Sequence, residues 1–150
     1  MADEPRTKAQ RKADVLGKLT KKVADAWVAT ADDNGPYLVP LTMAWIDRRI
    51  VLATDSSTPT ARNLVARGMV RLALGHTRDV VMIDARLERT IPVAHAGPIG
   101  DAYAAQNDWD PRTAGDTYVF LILRPDRIQA WREVNEIPDR TLMRAGTWLI

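Results

Sequence analysis

Apolar residues recur at helical spacing near the start of the chain, then give way to short alternating runs. Val15, Leu16 and Leu19 fall on one face of a stretch from Arg6 to Leu19 that is rich in Ala, Lys, Arg and Leu. Pro5, behind Asp3 and Glu4, marks its expected start. Ala26 to Ala31 predicts a first strand and Tyr37 to Ile46 a second, with Asn34-Gly35 between them. Asn-Gly between apolar runs is a strong hairpin signal, because both central turn residues need positive φ. Asp47-Arg48-Arg49 turns into a third strand, Ile50 to Thr54, and the run Asp55 to Pro59 breaks the alternation. A short helix follows over Thr60 to Arg67, with Thr58 as N-cap, Pro59 at the first helical position and Gly68 as its left-handed end.

Met69 to Leu74 and Val80 to Leu87 predict strands four and five, with Glu88 and Arg89 as an extension of the fifth. Between Pro92 and Gly115, clustered alanines predict helical pieces interrupted at Gly97-Pro98. Tyr118 to Leu123 and Ile128 to Trp131 predict the last strands, with Arg124-Pro125-Asp126 as a turn. Six or seven short strands with few helices imply an α+β fold, a closed antiparallel barrel with peripheral helices. The βαβ alternation of a dinucleotide-binding sheet is missing, as is any G-x-G-x-x-G. The chain divides into a basic helical segment, 1–22, and one body, 23–150.

Composition narrows the chemistry. The 150 residues include no cysteine, which excludes disulfides, thiolate nucleophiles and cysteine-held metal centres. No apolar run approaches a bilayer span and no signal-peptide core is present, so the expected location is the cytosol, without a membrane partner. All five lysines lie in the first 22 residues, where seven cations face three acids for a net +4; the body has 14 arginines and 16 acids, a net −2. A basic leader on a slightly acidic body reads as a solvated helix, and no nucleic-acid partner is expected. The body offers no lysine for a Schiff base or phosphate loop. Ser56 and Ser57 sit in no G-x-S-x-G elbow, and His76 and His95 lack metal-ligand spacing. Any redox or transfer chemistry would therefore fall to a cofactor.

One stretch combines anion-binding features. At the start of the short helix, free N–H groups and the helix dipole coincide with hydroxyls at Thr58 and Thr60, a guanidinium at Arg62 and an amide at Asn63. The same residues also make a good helix start with no ligand at all. The run Ile50-Val51-Leu52-Ala53-Thr54-Asp55-Ser56-Ser57-Thr58-Pro59-Thr60-Ala61-Arg62-Asn63-Leu64, followed by Val70-Arg71-Leu72-Ala73-Leu74, resembles the pyridoxamine 5′-phosphate oxidase-like superfamily of split-barrel flavin proteins. The likeness extends from roughly Trp27 to Trp148. It implies a six- to seven-stranded antiparallel split β-barrel, homodimeric, with FMN or the deazaflavin F420 in a groove between subunits.

By the same resemblance, Val39, Pro40, Leu41 and Thr42 would pass along the flavin ring and Thr54 would approach it from the third strand. Thr58, Thr60, Arg62 and Asn63 would take the phosphate. Asp79 stands where these oxidases often place a glutamine from the partner subunit, and Trp131 matches a tryptophan reaching the flavin across the dimer. Arg140 to Arg144 resembles the Arg-Leu-His-Asp-Arg tail of the true oxidases, with Arg144 as its last cation.

The departures are as specific. Thr60 replaces the family's phosphate-binding lysine, Pro59 a neighbouring arginine, and Leu142 and Met143 the tail's His and Asp. A vitamin B6 oxidase is therefore not expected. The reading is an oxidoreductase that moves a hydride between the bound cofactor and a small organic substrate, with NAD(P)H or reduced F420 as a possible reductant. The alternatives are a non-catalytic carrier of flavin, F420 or haem, and a split-barrel dimer that has lost its cofactor.

Overall fold

The computed structural model describes residues 3–150. Met1 and Ala2, the start of the basic leader, lie outside the described residues. In chain order come α1 (Lys8–Leu19), β1 (Ala24–Asp32), β2 (Gly35–Ile46), β3 (Arg49–Asp55), α2 (Pro59–Arg67), β4 (Met69–His76) and β5 (Asp79–Pro92). After these follow α3 (Pro98–Asn107), β6 (Tyr118–Trp131), β7 (Thr141–Arg144) and β8 (Thr147–Trp148).

Every strand pairs antiparallel with its neighbours in the order β3-β2-β1-β4-β5-β6-β7-β8, and β6 also pairs with β3. Six strands thus close a barrel, with β7 and β8 as a flap on β6. Its interior is filled by Val28, Met43, Leu52, Leu72, Ile83, Leu121 and Ile128, and Val15 and Leu19 of α1 join the same cluster. A second core lies outside β2, β3 and β6, where Val93, Ala96 and Tyr103 cover Ala44, Val51, Phe120 and Ile122.

Several local predictions hold. Thr58 caps α2, Pro59 opens it and Gly68 ends it at φ 73°. Gly97 and Pro98 separate a single 3-10 turn, Val93–His95, from α3. Others are corrected. Helix α1 begins after Thr7 rather than at Pro5, because Thr7 and Gln10 form a reciprocal capping box.

The first hairpin turns on Asp33-Asn34, one residue earlier than Asn34-Gly35. The Asp32 carboxylate accepts from the Asn34 N–H at 2.8 Å, and Gly35 alone takes the left-handed backbone, φ 122°. The two last strands are one 14-residue strand, β6. Arg124-Pro125-Asp126 is a bulge rather than a turn: the β5 register slips between Asp84 and Ala85, where Pro125 sits buried opposite Ala85. On its other edge β6 has just left β3 at Leu123 and not yet met β7 at Ile128, so no ladder bond is asked of the proline there.

Candidate functional site

The barrel is open along one seam. β2 pairs with β3 only from Met43–Leu52 to Ile46–Arg49. Beyond Met43, β2 keeps its β1 partner, with Leu41 opposite Ala26 and Val39 opposite Val28, and has no strand on its other edge. Ala53, Thr54 and Asp55 of β3 likewise keep only β6. The split therefore exposes two strand edges, each carrying backbone donors and acceptors that a planar ligand edge can meet. Val39, Leu41 and Thr42 are half-buried there and Pro40 is exposed.

Helix α3 reaches this seam with Tyr103 and the end of β2 beside the start of β1 with Asn107 and Gln106, side chains that sequence reasoning missed. The Tyr103 hydroxyl donates to the Thr42 carbonyl at 3.1 Å, and the Asn107 amide donates to the Met43 carbonyl at 3.1 Å. The Gln106 side chain accepts from the Trp45 N–H at 2.9 Å. Burial pushes the Tyr103 phenol up, and the Asp25 charge adds to the shift, so the hydroxyl stays a neutral donor. No periodicity or motif marks these three residues, because their partners are backbone groups of distant strands.

Thr54 is buried, and its hydroxyl lies 3.4 Å from that of Thr58. The start of α2 is largely satisfied from within the chain. The Thr58 hydroxyl donates to the Asp55 carbonyl at 3.0 Å and accepts from the Ala61 N–H at 3.3 Å, while the Arg62 N–H bonds the Thr58 carbonyl. Pro59 has no N–H, which leaves that of Thr60.

The Thr60 side chain is turned inward, 2 % exposed. Asn63 is also buried and donates its amide to the Thr30 hydroxyl at 3.1 Å. Arg62 is exposed and has no carboxylate within 4 Å among the described residues. Beside the helix start, the Asp55 carboxylate accepts from the Ser57 hydroxyl (2.6 Å), the Thr117 hydroxyl and the Ser57 N–H (2.9 Å). These bonds, led by that of the Ser57 hydroxyl, hold its pKa down at about 2, so it stays charged. The split leaves the backbone edges of Val39 to Leu41 and of Ala53 to Asp55 without a strand partner on one side. The helix start does not fit a phosphate as a lysine-bearing loop does, since only the Thr60 N–H and the Arg62 guanidinium are left unpaired among the described residues and a carboxylate stands beside it.

The internal role of Asn63 yields a prediction. Asn63→Ala removes the donor to a buried hydroxyl and is expected to cost about 1–2 kcal/mol of stability, read as an earlier urea midpoint at unchanged m-value. An unchanged midpoint would show that the Thr30 bond contributes nothing.

The remaining predicted residues lie elsewhere. Asp79 opens β5 in an ion cluster, 3.1 Å from Lys18, 3.3 Å from Arg132 and 3.6 Å from Arg6. Burial would raise its pKa, but those three cations hold it below the usual carboxylate range. Trp131 ends β6, half-buried and opposite Val80. Arg144 is exposed beside the β7–β8 turn.

The registers place Pro40, Trp27, Ala73, Met82 and Gln129 in one row across the outside of β2, β1, β4, β5 and β6. Across this face four strand spacings, about 19 Å, lie between β2 and β6; β6 also pairs with β3 on the other side, but Trp131 stands eight residues beyond Leu123, the last β6 residue paired there, roughly 26 Å along the strand. Within one chain the two groups of residues do not meet. The ground between them is apolar, with Trp27 53 % and Leu38 60 % exposed and hollows of about 270 and 340 Å³ flanking Trp27.

Among the described residues no helix is long and apolar enough to cross a membrane, and no three His, Asp or Glu side chains gather as a metal cage. No family model and no curated protein matches the chain. Solved structures do. An F420 reductase superposes with a TM-score of 0.61 at 18% identity, covering 75% of this chain and 93% of its own. A FAD-binding protein from Mesorhizobium loti gives 0.62 at 19% identity, covering 79% and 90%. A haem-binding protein from Mycobacterium smegmatis gives 0.62 at 15% identity, covering 94% of this chain and 59% of its own. The fold of this chain is the split antiparallel barrel that these structures share.

Proposed function

We propose that this protein is a homodimeric oxidoreductase that holds a flavin-type ring, FMN or F420, in the split between β2 and β3 and acts on a small organic substrate. The open seam carries the reading. A split that exposes backbone groups of Val39 to Thr42 on one edge and of Ala53 to Asp55 on the other suits a ring with hydrogen-bonding edges. The apolar ground around Trp27 would lie against a second copy, bringing that copy's Asp79 and Trp131 strand ends toward the split. When bound, the ring supplies hydride transfer. The chain's share is to position it with β2 backbone, exclude water at the subunit contact, and offset its charge with Arg62.

The helix start favours a second reading, in which the dimer carries a ring without turnover or carries none. Titration of the purified protein with FMN and with F420, followed by absorbance, separates the two. Saturable binding is expected, and Arg62→Ala is expected to weaken it roughly tenfold or more by removing a charge-assisted contact. A protein that is colourless as isolated and binds neither cofactor supports the second reading and removes the first.

A further inference from the structure

A second opening lies at the far end of the β2–β3 ladder from the split. The hairpin there has two loop residues, Asp47 and Arg48, and both take left-handed backbone, at φ 50° and 59°. Such turns favour Asn-Gly, because a longer side chain resists that region. The β7–β8 hairpin turns nearby on Ala145-Gly146, whose Gly146 N–H donates to the Asp126 carbonyl of the β6 bulge at 2.9 Å. Between the two hairpins is a cavity of about 660 Å³ with Arg48, Arg124, Trp45, Met143 and Trp148 on its walls.

Its charges are unbalanced. Asp126 is held by Arg86 at 3.0 Å, and Glu88 is held by Arg49 at 2.8 Å. Neither Arg48 nor Arg124 has a carboxylate within 4 Å among the described residues, and both are exposed. The Lys12 ammonium adds a third cation, 5.0 Å from the centre of the Trp148 ring. Unneutralised guanidiniums beside indole walls complement an aromatic ring that carries a phosphate: the guanidinium fork matches phosphate oxygens, and indole accepts a stacked ring. We infer that this cavity binds a nucleoside monophosphate or a planar aromatic phosphate of similar size. The left-handed Arg48 then has a reason, since the turn presents its guanidinium at the opening. This site is independent of the split, which begins on the other side of the Met43–Leu52 pair.

AMP is the probe, with adenosine and inorganic phosphate as controls, read on the full chain by tryptophan fluorescence and calorimetry. AMP is expected to saturate, and each control to bind at least tenfold more weakly. Arg48→Gly relieves the left-handed strain and is expected to raise Tm by roughly 2 °C while weakening AMP at least tenfold, a pairing that a purely structural arginine would not give. Arg124→Ala is expected to weaken AMP as much without the gain in Tm. Absence of saturable AMP binding, binding unchanged in Arg48→Gly, or adenosine binding as tightly as AMP would each overturn the proposal. FMN held in the split responds to Arg62→Ala and not to Arg48→Gly, so the two sites fail separately.

Discussion

Replacing Glu136 by alanine is expected to lower Tm by roughly 6–12 °C, the largest single effect anticipated outside the barrel interior. Glu136 lies in a short turn after β6 and is 2 % exposed. Its carboxylate accepts from the Arg6 backbone N–H at 2.8 Å, the Arg6 guanidinium at 2.7 and 3.0 Å, and the Arg132 N–H at 2.9 Å. The Arg6 side chain is itself only 10 % exposed, and it reaches Asp14 at 2.8 Å as well. Next to it the buried Arg11 guanidinium donates to the carbonyls of Ala130, Glu136 and Asp139. Deleting the carboxylate leaves two backbone donors and a nearly buried guanidinium without their acceptor. Breaking such a buried pair costs about 3 kcal/mol or more, and at this chain length each kcal/mol moves Tm by about 2–4 °C. Because Arg6 precedes α1, the same change should also loosen the leader, read as faster proteolysis before Lys8.

The acid limb of stability gives an independent check. The Arg6 hydrogen bonds, against the opposing effect of burial, hold the Glu136 pKa at about 2, below its ordinary 4.5. A carboxyl whose folded pKa is depressed stabilises the fold fully above its unfolded pKa and loses that contribution as pH falls through the folded one. The difference in Tm between the wild-type protein and Glu136→Gln should therefore be largest above pH 4.5 and shrink between about 4.5 and 2. Arg11, Arg132, Asp14 and Asp79 surround Arg6 and residue 136 alike in both proteins, so their contributions cancel in the difference. A constant difference down to pH 2 would mean that the Glu136 charge is not what Arg6 responds to.

Much of the barrel was legible because its strands obey a local rule. Ala24 to Ala31 alternate between inside and outside with the period a half-buried strand requires, and α2 carries both of its boundary signals in Thr58, Pro59 and Gly68. What failed were features decided by a partner distant in sequence. Arg124-Pro125-Asp126 has turn composition, yet the demand of β5 for a long neighbour keeps the chain extended through it. By resemblance Asp79 takes the place of a partner-subunit glutamine, and only the folded chain brings Arg6, Lys18 and Arg132 to it.

The candidate site divides in the same way. Residue types at the start of α2 name its donors, but their direction depends on what lies beneath. Thr60 and Asn63 fall on the buried side of the helix and Arg62 on the other, as expected when the apolar Ala61 and Leu64 pin the helix to the barrel. Residue identity gave the chemistry, and only packing could say which hydroxyl or amide was left for a ligand.

The proposed dimer makes the last prediction. Trp27 stands in the outer row between Pro40 on one side and Ala73 on the other, with Leu38 and Met82 close by. A large, half-exposed indole among small and apolar neighbours is the composition of an interface centre, where truncating one aromatic costs about 2 kcal/mol or more. Trp27→Asp also places a charge where it would lose its water on association, an added penalty. The wild-type protein is expected to sediment as a dimer and Trp27→Asp as a monomer at the same concentration, with the dimer Kd raised at least 100-fold. Because the side chain points away from the core, the far-UV spectrum should not change. If the split is completed by strand ends from a second copy, cofactor binding should fall in parallel with dimerisation. A wild-type monomer would remove the proposed subunit contact, and a dimer that survives Trp27→Asp would move it to another face.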